Sequence, residues 1–316
     1  MKLVVSELRA LRQYVSREFF HVLNGLIAER GWRQLDPYEL WRAPGSLRDK
    51  LLRNLGELPT VVLFWEGYEF LAAHARAFER LGCRKYVFAD DLHWRNEMMR
   101  AMKTLGFSYC DAILCTYEPA FHRFYPGLAR EKEVVWVPHA ASPDFQLELN
   151  EHPEDAVFLS GAIDRHYPLR QEMLRLYQKK NHSLVLHDHP GYHCGYDYDR
   201  DTNVGRHYAA RIHRYLAGFT DSSRFRYTIA KYFEIPATGS LLLGDGAVGP
   251  ALARLGLLEG VHYVSVSHAD LEQRVAYVLD ARHREEIDAI RRRGQELVRE
   301  RHTTRHRTRQ IDEICR

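Results

Sequence analysis

A lysine and a glutamate three positions apart are the strongest candidates for chemistry in this sequence. Lys231 and Glu234 lie in segment 227–245, YTIAKYFEIPATGSLLLGD, where Pro236 and Gly239 end a helical pattern and an apolar strand follows. Residues three apart share one face of a helix. A carboxylate there can accept both hydroxyls of a ribose, and a lysine near a helix N-terminus can neutralise a diphosphate. The alternative is an ordinary surface Lys–Glu pair, which periodicity alone favours.

A second polar group, Asp90, Asp91 and His93, follows a predicted strand and begins a predicted helix. This position is the carboxyl edge of a sheet, where Asp91 or His93 suits a general base acting on a hydroxyl, with His93 tuned by the carboxylate. Helix capping by Asp90 or Asp91 is the alternative, and the two roles can coexist. Glu66 and His139, each after another predicted strand, are weaker candidates for the same base.

A third segment, 187–201, is HDHPGYHCGYDYDRD and contains three histidines and a cysteine. These residue types allow a metal site as one interpretation. The Pro190-Gly191 pair breaks any helix or strand, and the spacing matches no zinc signature, so a polar loop is the favoured interpretation.

Composition places the chain among ordinary globular proteins. It has 316 residues, 45% apolar and 28% charged, which excludes disordered, collagen-like and disulfide-miniprotein classes. The 45 Lys and Arg against 42 Asp and Glu are too balanced to indicate nucleic-acid binding by charge alone. No apolar run approaches the roughly 20 residues that span a bilayer. The five scattered cysteines form no C-x-x-C pair, so we expect reduced thiols and a cytoplasmic location.

Basic stretches at 291–293 and 299–309 predict a solvated helix face, because glutamates are interleaved with the arginines. The alternative is peripheral contact with an anionic membrane surface or with nucleic acid.

Strand and helix patterns alternate along the whole chain, which predicts βαβ units and parallel sheets. The predicted strands are 2–5, 60–65, 85–89, 109–115, 133–137, 156–160, 183–187, 240–243 and 261–266. The predicted helices are 6–30, 68–81, 93–105 (closed by Gly106), 118–125, 169–179, 208–217, 227–233, 271–279, 285–300 and 303–315.

We expect two doubly wound, Rossmann-like α/β domains, 1–145 and 146–300, and a helical tail, 301–316, that packs back on the first domain. Ligands of such sheets bind at the strands' carboxyl ends, so a cleft between the domains is the expected site.

Segment 227–245 resembles the donor-binding stretch of GT-B glycosyltransferases. It is most similar to group-1-type enzymes of the spore-maturation (CgeB-like) kind, with a basic residue, an aromatic residue, Glu, a small residue, Gly and an apolar strand in order. The end of that family is resembled by residues 260–263, 267 and 270–279, and by residues 291–294, 302–303 and 307. Residues 111–116, 134–138 and 144–145 resemble its acceptor domain and the exit from it.

The resemblance implies a metal-independent, hexosyltransferase-like enzyme that takes a sugar from a nucleotide-diphosphate donor, UDP- or GDP-linked. Its acceptor is unidentified: a glycan, a peptide, a metabolite or a modified base. The residues it implies for the donor are Gly161 at a phosphate turn, Arg165 or the preferred Arg170 on phosphate, Tyr227, Thr228 and Lys231 facing the diphosphate, and Glu234 on the ribose.

One position departs from the family pattern. Arg226 occupies the place where many retaining relatives have a glutamate, so stereochemistry and sugar identity do not carry over. Two other functions therefore stay open: a non-catalytic sugar-nucleotide-binding protein of the same shape, and a metal-dependent hydrolase or deaminase that uses loop 187–201.

Overall fold

Two parallel β-sheets organise the chain, as the computed structural model shows for residues 1–179 and 183–316. The first compact unit comprises Met1–Arg12, Phe20–Pro138 and Arg307–Arg316, and the second comprises Gln13–Phe19 and His139–His306. Within the described residues, no helix is both long enough and apolar enough to cross a membrane.

The first unit contains a six-stranded sheet in the order β2-β1-β3-β4-β5-β6, with every pair parallel. Its strands are β1 Lys2–Val5, β2 Arg33–Leu35, β3 Val61–Trp65, β4 Arg84–Ala89, β5 Ala112–Cys115 and β6 Glu133–Trp136. The central strand β3 is VVLFW and is buried throughout. Such continuous apolar runs are typical of parallel strands covered on both faces.

The second unit contains a five-stranded parallel sheet in the order β11-β10-β9-β7-β8. Its strands are β7 Glu154–Ser160, β8 Leu184–His187, β9 Tyr215–Thr220, β10 Leu241–Asp245 and β11 Val264–Val266. Apolar residues of the strands and of the covering helices form buried clusters on the sheet. The predicted fold class, two parallel-sheet α/β domains, is confirmed.

Helices follow most strands. They are α1 Leu8–Arg12, α2 Glu18–Arg30, α3 Pro37–Arg42, α4 Leu47–Leu55, α5 Tyr68–Glu79, α6 Glu97–Tyr109, α7 Glu118–Phe124, α8 Leu128–Glu131, α9 Pro168–Gln178, α10 Gly205–His213, α11 Lys231–Ala237, α12 Gly249–Arg254, α13 Leu271–Leu279, α14 Arg284–Arg301 and α15 Thr304–Ile314. Short 3₁₀ turns occupy Pro143–Phe145, Gly246–Val248 and Ala281–His283.

The predicted helix over 6–30 was wrong, because it is two helices, α1 and α2, separated by segment 13–17. The carbonyl of Gln13 accepts hydrogen bonds from the N–H groups of Gly195 and Tyr196 at 2.9 and 3.1 Å, so its partners lie outside any local helix. Strand β2 and helices α3 and α4 lie in a stretch to which the sequence patterns assigned no element.

The predicted helix over 93–105 begins too early and ends too early. Asn96 is the N-cap of α6, because its side chain accepts the N–H of Met99 at 2.9 Å. Gly106 lies inside the helix, where an added Cβ would lie 3.3 Å from Tyr68 Cδ1. The capping role considered for Asp90 and Asp91 is therefore wrong.

Two predicted helices in the second unit were also misplaced. The helix over 208–217 ends at His213, and β9 begins at Tyr215 as a central strand of the sheet. The helix over 227–233 begins only at Lys231, so Tyr227 and Thr228 lie in the loop before it.

Candidate functional site

Gly161 forms a turn at the carboxyl end of β7 in the second unit. Its φ is +98°, a backbone conformation that favours glycine. A Cβ at this position would lie 2.8 Å from Arg170 Nη1 and 3.1 Å from Lys231 Cε. The missing side chain therefore lets an arginine of α9 and a lysine of α11 approach the same turn. Three residues predicted for the donor are brought together here.

Arg170 is the more unusual of the two basic residues, because it is only 1% exposed. Its Nη1 donates to the carbonyl of Ala162 at 3.0 Å and its Nη2 to Thr220 Oγ1 at 3.4 Å. The guanidinium carbon lies 4.0 Å from the ring centre of Tyr167. Its buried Nε has no hydrogen-bond partner within the described residues. The guanidinium thus donates only to neutral groups and keeps an unused N–H, so it has capacity to bind an anion.

Asp221 is a carboxylate close to Arg170, but it caps the helix rather than pairing with the guanidinium. Its Oδ2 accepts the N–H groups of Leu169 and Arg170 at 2.7 and 3.0 Å. Burial raises the pKa of Asp221, while these hydrogen bonds and the charge of Arg170 lower it in part.

Lys231, the first residue of α11, is also held by neutral groups. Its Nζ donates to the hydroxyl of Tyr208 and lies 4.6 Å from the centre of that ring. The same hydroxyl is 2.5 Å from Ser160 Oγ, at the end of β7. Among the residues that the structure describes, neither Lys231 nor Arg170 forms an ion pair with a carboxylate.

Glu234 lies one turn along α11 and is buried. Burial raises its pKa, Lys231 and His139 lower it, and Glu18 and Asp144 raise it. Its carboxylate makes no hydrogen bond or ion pair within residues 1–179 and 183–316. The alternative of an ordinary surface Lys–Glu pair is therefore wrong.

Two of the charged residues that act on Glu234 form a buried Glu–His pair. Glu18 accepts from His139 Nδ1 and from the N–H of Ala140, both at 2.7 Å. Arg17, from the same segment 13–19, contacts both carboxylate oxygens of Asp144 at 3.0 Å. Sequence patterns contain no signal for Arg17 or Glu18, because they predict this segment as part of a continuous helix.

The remaining predicted donor residues lie on loops. Tyr227 and Thr228 are buried just before α11, and Thr228 Oγ1 has no hydrogen-bond partner in the described part of the chain. Arg226 is exposed with a φ of +55°. Arg165 is exposed on the loop between β7 and α9, and the three atoms nearest to a Cβ at Gly161 belong to Arg170 and Lys231 instead.

Loop 187–201 is held by its own side chains and by segment 13–19. The hydroxyl of Tyr196 lies 2.8 Å from His193 Nε2, and Tyr198 donates to the carbonyl of Tyr14. Burial, together with the charges of Lys231 and Arg170, lowers the pKa of His189 to about 4. Within the described residues, no three His, Cys, Asp or Glu side chains converge to hold a metal ion.

The first unit places an acidic group at the carboxyl ends of β3 and β4. Asp91 is mostly exposed, with its Oδ1 3.7 Å from His93 Nδ1. Lys103 of α6 donates to the carbonyl of Asp91 and, at 3.5 Å, to that of His93. Glu66 directly follows β3, and burial together with the charges of Asp90 and Asp91 raises the pKa of its carboxyl group.

Comparison with known proteins agrees with this arrangement. Residues 170–313 match a family model described as glycosyl transferase-like. The matched part, less than half of the chain, is similar to that family. It contains Arg170, Lys231 and Glu234. The group-1-like family is thus supported, whereas the CgeB-like subfamily stays a prediction. No curated protein matches the sequence.

Solved structures resemble the whole chain and not only residues 170–313. Anabaena HepE in complex with UDP-glucose has a TM-score of 0.63 at 11% identity, covering 99% of both chains. Sucrose-phosphate synthase from Thermosynechococcus elongatus has a TM-score of 0.64 at 11% identity, covering 99% of this chain and 97% of that one. An alpha-glucosyltransferase in complex with UDP-glucose and DNA containing an abasic site has a TM-score of 0.59 at 11% identity, with 99% and 98% covered. The chain therefore has the GT-B glycosyltransferase fold.

Proposed function

We propose that the protein transfers a hexose from a nucleotide-diphosphate donor, UDP- or GDP-linked, to an acceptor hydroxyl. The observation that carries this proposal is the pair of cations at the Gly161 turn. Arg170 and Lys231 meet there, and neither has a carboxylate partner among the described residues. Fixed positive groups of this kind stabilise the charge that develops on a leaving diphosphate.

The diphosphate and the ribose of the donor match two different groups of residues in the second unit. Arg170 and Lys231 would hold the diphosphate, and the buried hydroxyl of Thr228 would donate a further hydrogen bond to it. Glu234, whose carboxylate lacks a partner within the described residues, would accept the ribose hydroxyls in its ionised form. Because protein cations supply the charge neutralisation, we propose that the reaction needs no metal.

The roles of the other predicted residues are proposals of the same kind. Tyr227 would line the donor site beside Thr228. Arg165, exposed on its loop, is a weaker phosphate candidate than Arg170. Asp91 and His93 would lie near the acceptor.

Thermal unfolding of the purified protein with UDP-, GDP-, ADP-, CMP- and dTDP-sugars, each with and without EDTA, tests the donor site. A donor at 100 times its Kd should add about 2.7 kcal/mol to the free energy of unfolding. We expect a selective rise in melting temperature that EDTA leaves intact. No response to any nucleotide sugar, or a response abolished by EDTA, would contradict the proposal.

Release of free nucleotide from the selected donor separates an enzyme from a binding protein. We expect slow release with water as the acceptor and faster release with a true acceptor. Binding without any release, across an acceptor panel of glycans, peptides and metabolites, would instead indicate a non-catalytic nucleotide-sugar-binding protein.

A further inference from the structure

Glu66 has an unusual backbone for its residue type. It follows β3 with a φ of +58°, in the left-handed region that side chains other than glycine rarely adopt. Its N–H nevertheless continues the sheet by donating to the carbonyl of Phe88 in β4 at 3.0 Å. Strained residues of this kind cluster at functional sites, where surrounding contacts fix an otherwise unfavourable conformation.

The neighbours of Glu66 come from several elements of the first unit. The N–H of Asp90, after β4, faces its carboxyl group. Asp90 Oδ1 in turn accepts from Thr116 Oγ1, after β5, at 2.7 Å. From α5, Tyr68 contributes a buried hydroxyl with no hydrogen-bond partner in the described part of the chain. Glu66 is therefore held at the carboxyl edge of three adjacent strands.

Burial and nearby charges make the proton of Glu66 exchangeable close to neutral pH. Burial, together with the charges of Asp90 and Asp91, raises the pKa of Glu66 to about 8, although Lys103 and the Asp90 N–H lower it in part. Lys103 is committed to backbone carbonyls after β4, so it does not pair with Glu66 directly. Burial and the proximity of Glu66 also raise the pKa of Tyr68, which stays a neutral hydroxyl. General bases act best when their pKa lies near the working pH.

We propose that Glu66 is the residue that takes the proton from the acceptor, while Asp90 and Asp91 act on Glu66 through their charge. The inference rests on the proposed function and changes the assignment of the base from Asp91 or His93. In the reaction, the O–H bond of the acceptor breaks and its proton passes to the Glu66 carboxylate. The oxygen's electron pair forms the bond to the anomeric carbon. The bond from that carbon to the diphosphate breaks, and its electron pair leaves with the diphosphate.

The test measures kcat for UDP release from UDP-glucose, with water as the acceptor, from about pH 6 to 9.5. For the wild type, we expect kcat to rise with pH through about 8 and then level off, because only ionised Glu66 accepts the proton. Glu66→Gln should lower kcat about 100- to 10,000-fold and remove that rise, while UDP still raises the melting temperature. Glu69→Gln, an exposed acid of α5, is the matched control and should keep the wild-type profile.

Asp91→Asn distinguishes the two assignments of the base. If Asp91 acts through charge, its removal lowers the pKa of Glu66, so the rise in kcat moves to lower pH and kcat near pH 7 increases. A large loss of kcat in Asp91→Asn would overturn the inference. Near-normal kcat in Glu66→Gln would overturn it while leaving the proposed transferase function intact. No release of free nucleotide by the wild type from any of the five nucleotide sugars would overturn both.

Discussion

Replacing Gly161 with alanine tests whether the glycine turn builds the anion site. The substitution adds one methyl group to a residue with a φ of +98°. The new Cβ would lie 2.8 Å from Arg170 Nη1 and 3.1 Å from both Arg170 Cζ and Lys231 Cε. Separations below about 3 Å do not persist between such atoms. The guanidinium, the lysine stem or both must therefore move away from the turn.

The expected loss has two parts. An alanine in a left-handed conformation costs roughly 1–2 kcal/mol of stability, wherever it lies. A charge-assisted hydrogen bond to a phosphate contributes about 1.5–3 kcal/mol, and each 1.4 kcal/mol is a tenfold change in Kd. Displacing Arg170 alone should therefore weaken UDP binding about 10- to 140-fold. Displacing both cations would weaken it further.

Titration calorimetry with UDP measures this effect, and Gly260→Ala supplies the matched control. Gly260 has a φ of +70° and no described atom within 4 Å of an added Cβ, so it carries the backbone penalty without moving a cation. We expect both variants to lose stability, but only Gly161→Ala to lose affinity. Equal UDP affinity in the two variants would refute the reasoning that places the diphosphate at this turn.

Three further substitutions test the second unit. Lys231→Met should weaken UDP binding about 10- to 140-fold in the same titration, whereas the exposed control Lys179→Met should not. Equal losses of affinity in the two variants would contradict a specific role of Lys231 in binding the diphosphate. Tyr208→Phe keeps the ring but removes the hydroxyl that contacts Lys231 and Ser160. KM for UDP-glucose should therefore rise by a larger factor than kcat falls. Unchanged KM and kcat would contradict a role of this hydroxyl in positioning Lys231. Burial raises the folded-state pKa of Glu234, so ionisation of this group costs stability as the pH rises. Glu234→Gln should therefore increase the free energy of unfolding above neutral pH, which urea denaturation measures. The same variant should weaken UDP binding. Lower stability in that variant would show that Glu234 has stabilising contacts instead.

Much of the fold was predictable because parallel strands leave a clear pattern. Runs such as VVLFW in β3 are apolar without interruption, and glycines at positive φ, Gly31 and Gly82, mark the ends of helices as expected. Strand β9 was missed because it follows α10 after a single residue, Arg214, with no proline or glycine between them. Periodicity cannot locate such a boundary, since residues 208–217 fit a helix as well as a strand.

The candidate site was predictable only where function lies in a local motif. Lys231 and Glu234 lie in one motif, and the resemblance to GT-B glycosyltransferases implied Gly161 and Arg170. Their supporting contacts are distant in sequence, and Glu18 and His139 are 121 positions apart. No spacing rule links such residues, because the chain reversals that join them depend on the whole fold. The importance of Glu66 likewise follows from its backbone angle and neighbours, neither of which a single sequence reveals.

The unpaired cations and the unpaired carboxylate of the second unit are best explained as two parts of one ligand-binding site. Lys231 and Glu234 are three positions apart on one helix and have opposite charges, yet they form no ion pair in the described structure. Instead, Lys231 turns to Tyr208 beside the Gly161 turn, and Glu234 stays buried without a partner within the described residues. Leaving both groups without a direct ion pair costs stability, because the nearby charges offset only part of the hydration that burial removes. An inorganic anion would satisfy the cations but leave Glu234 unpaired, whereas a nucleoside diphosphate brings phosphates for the cations and ribose hydroxyls for the carboxylate.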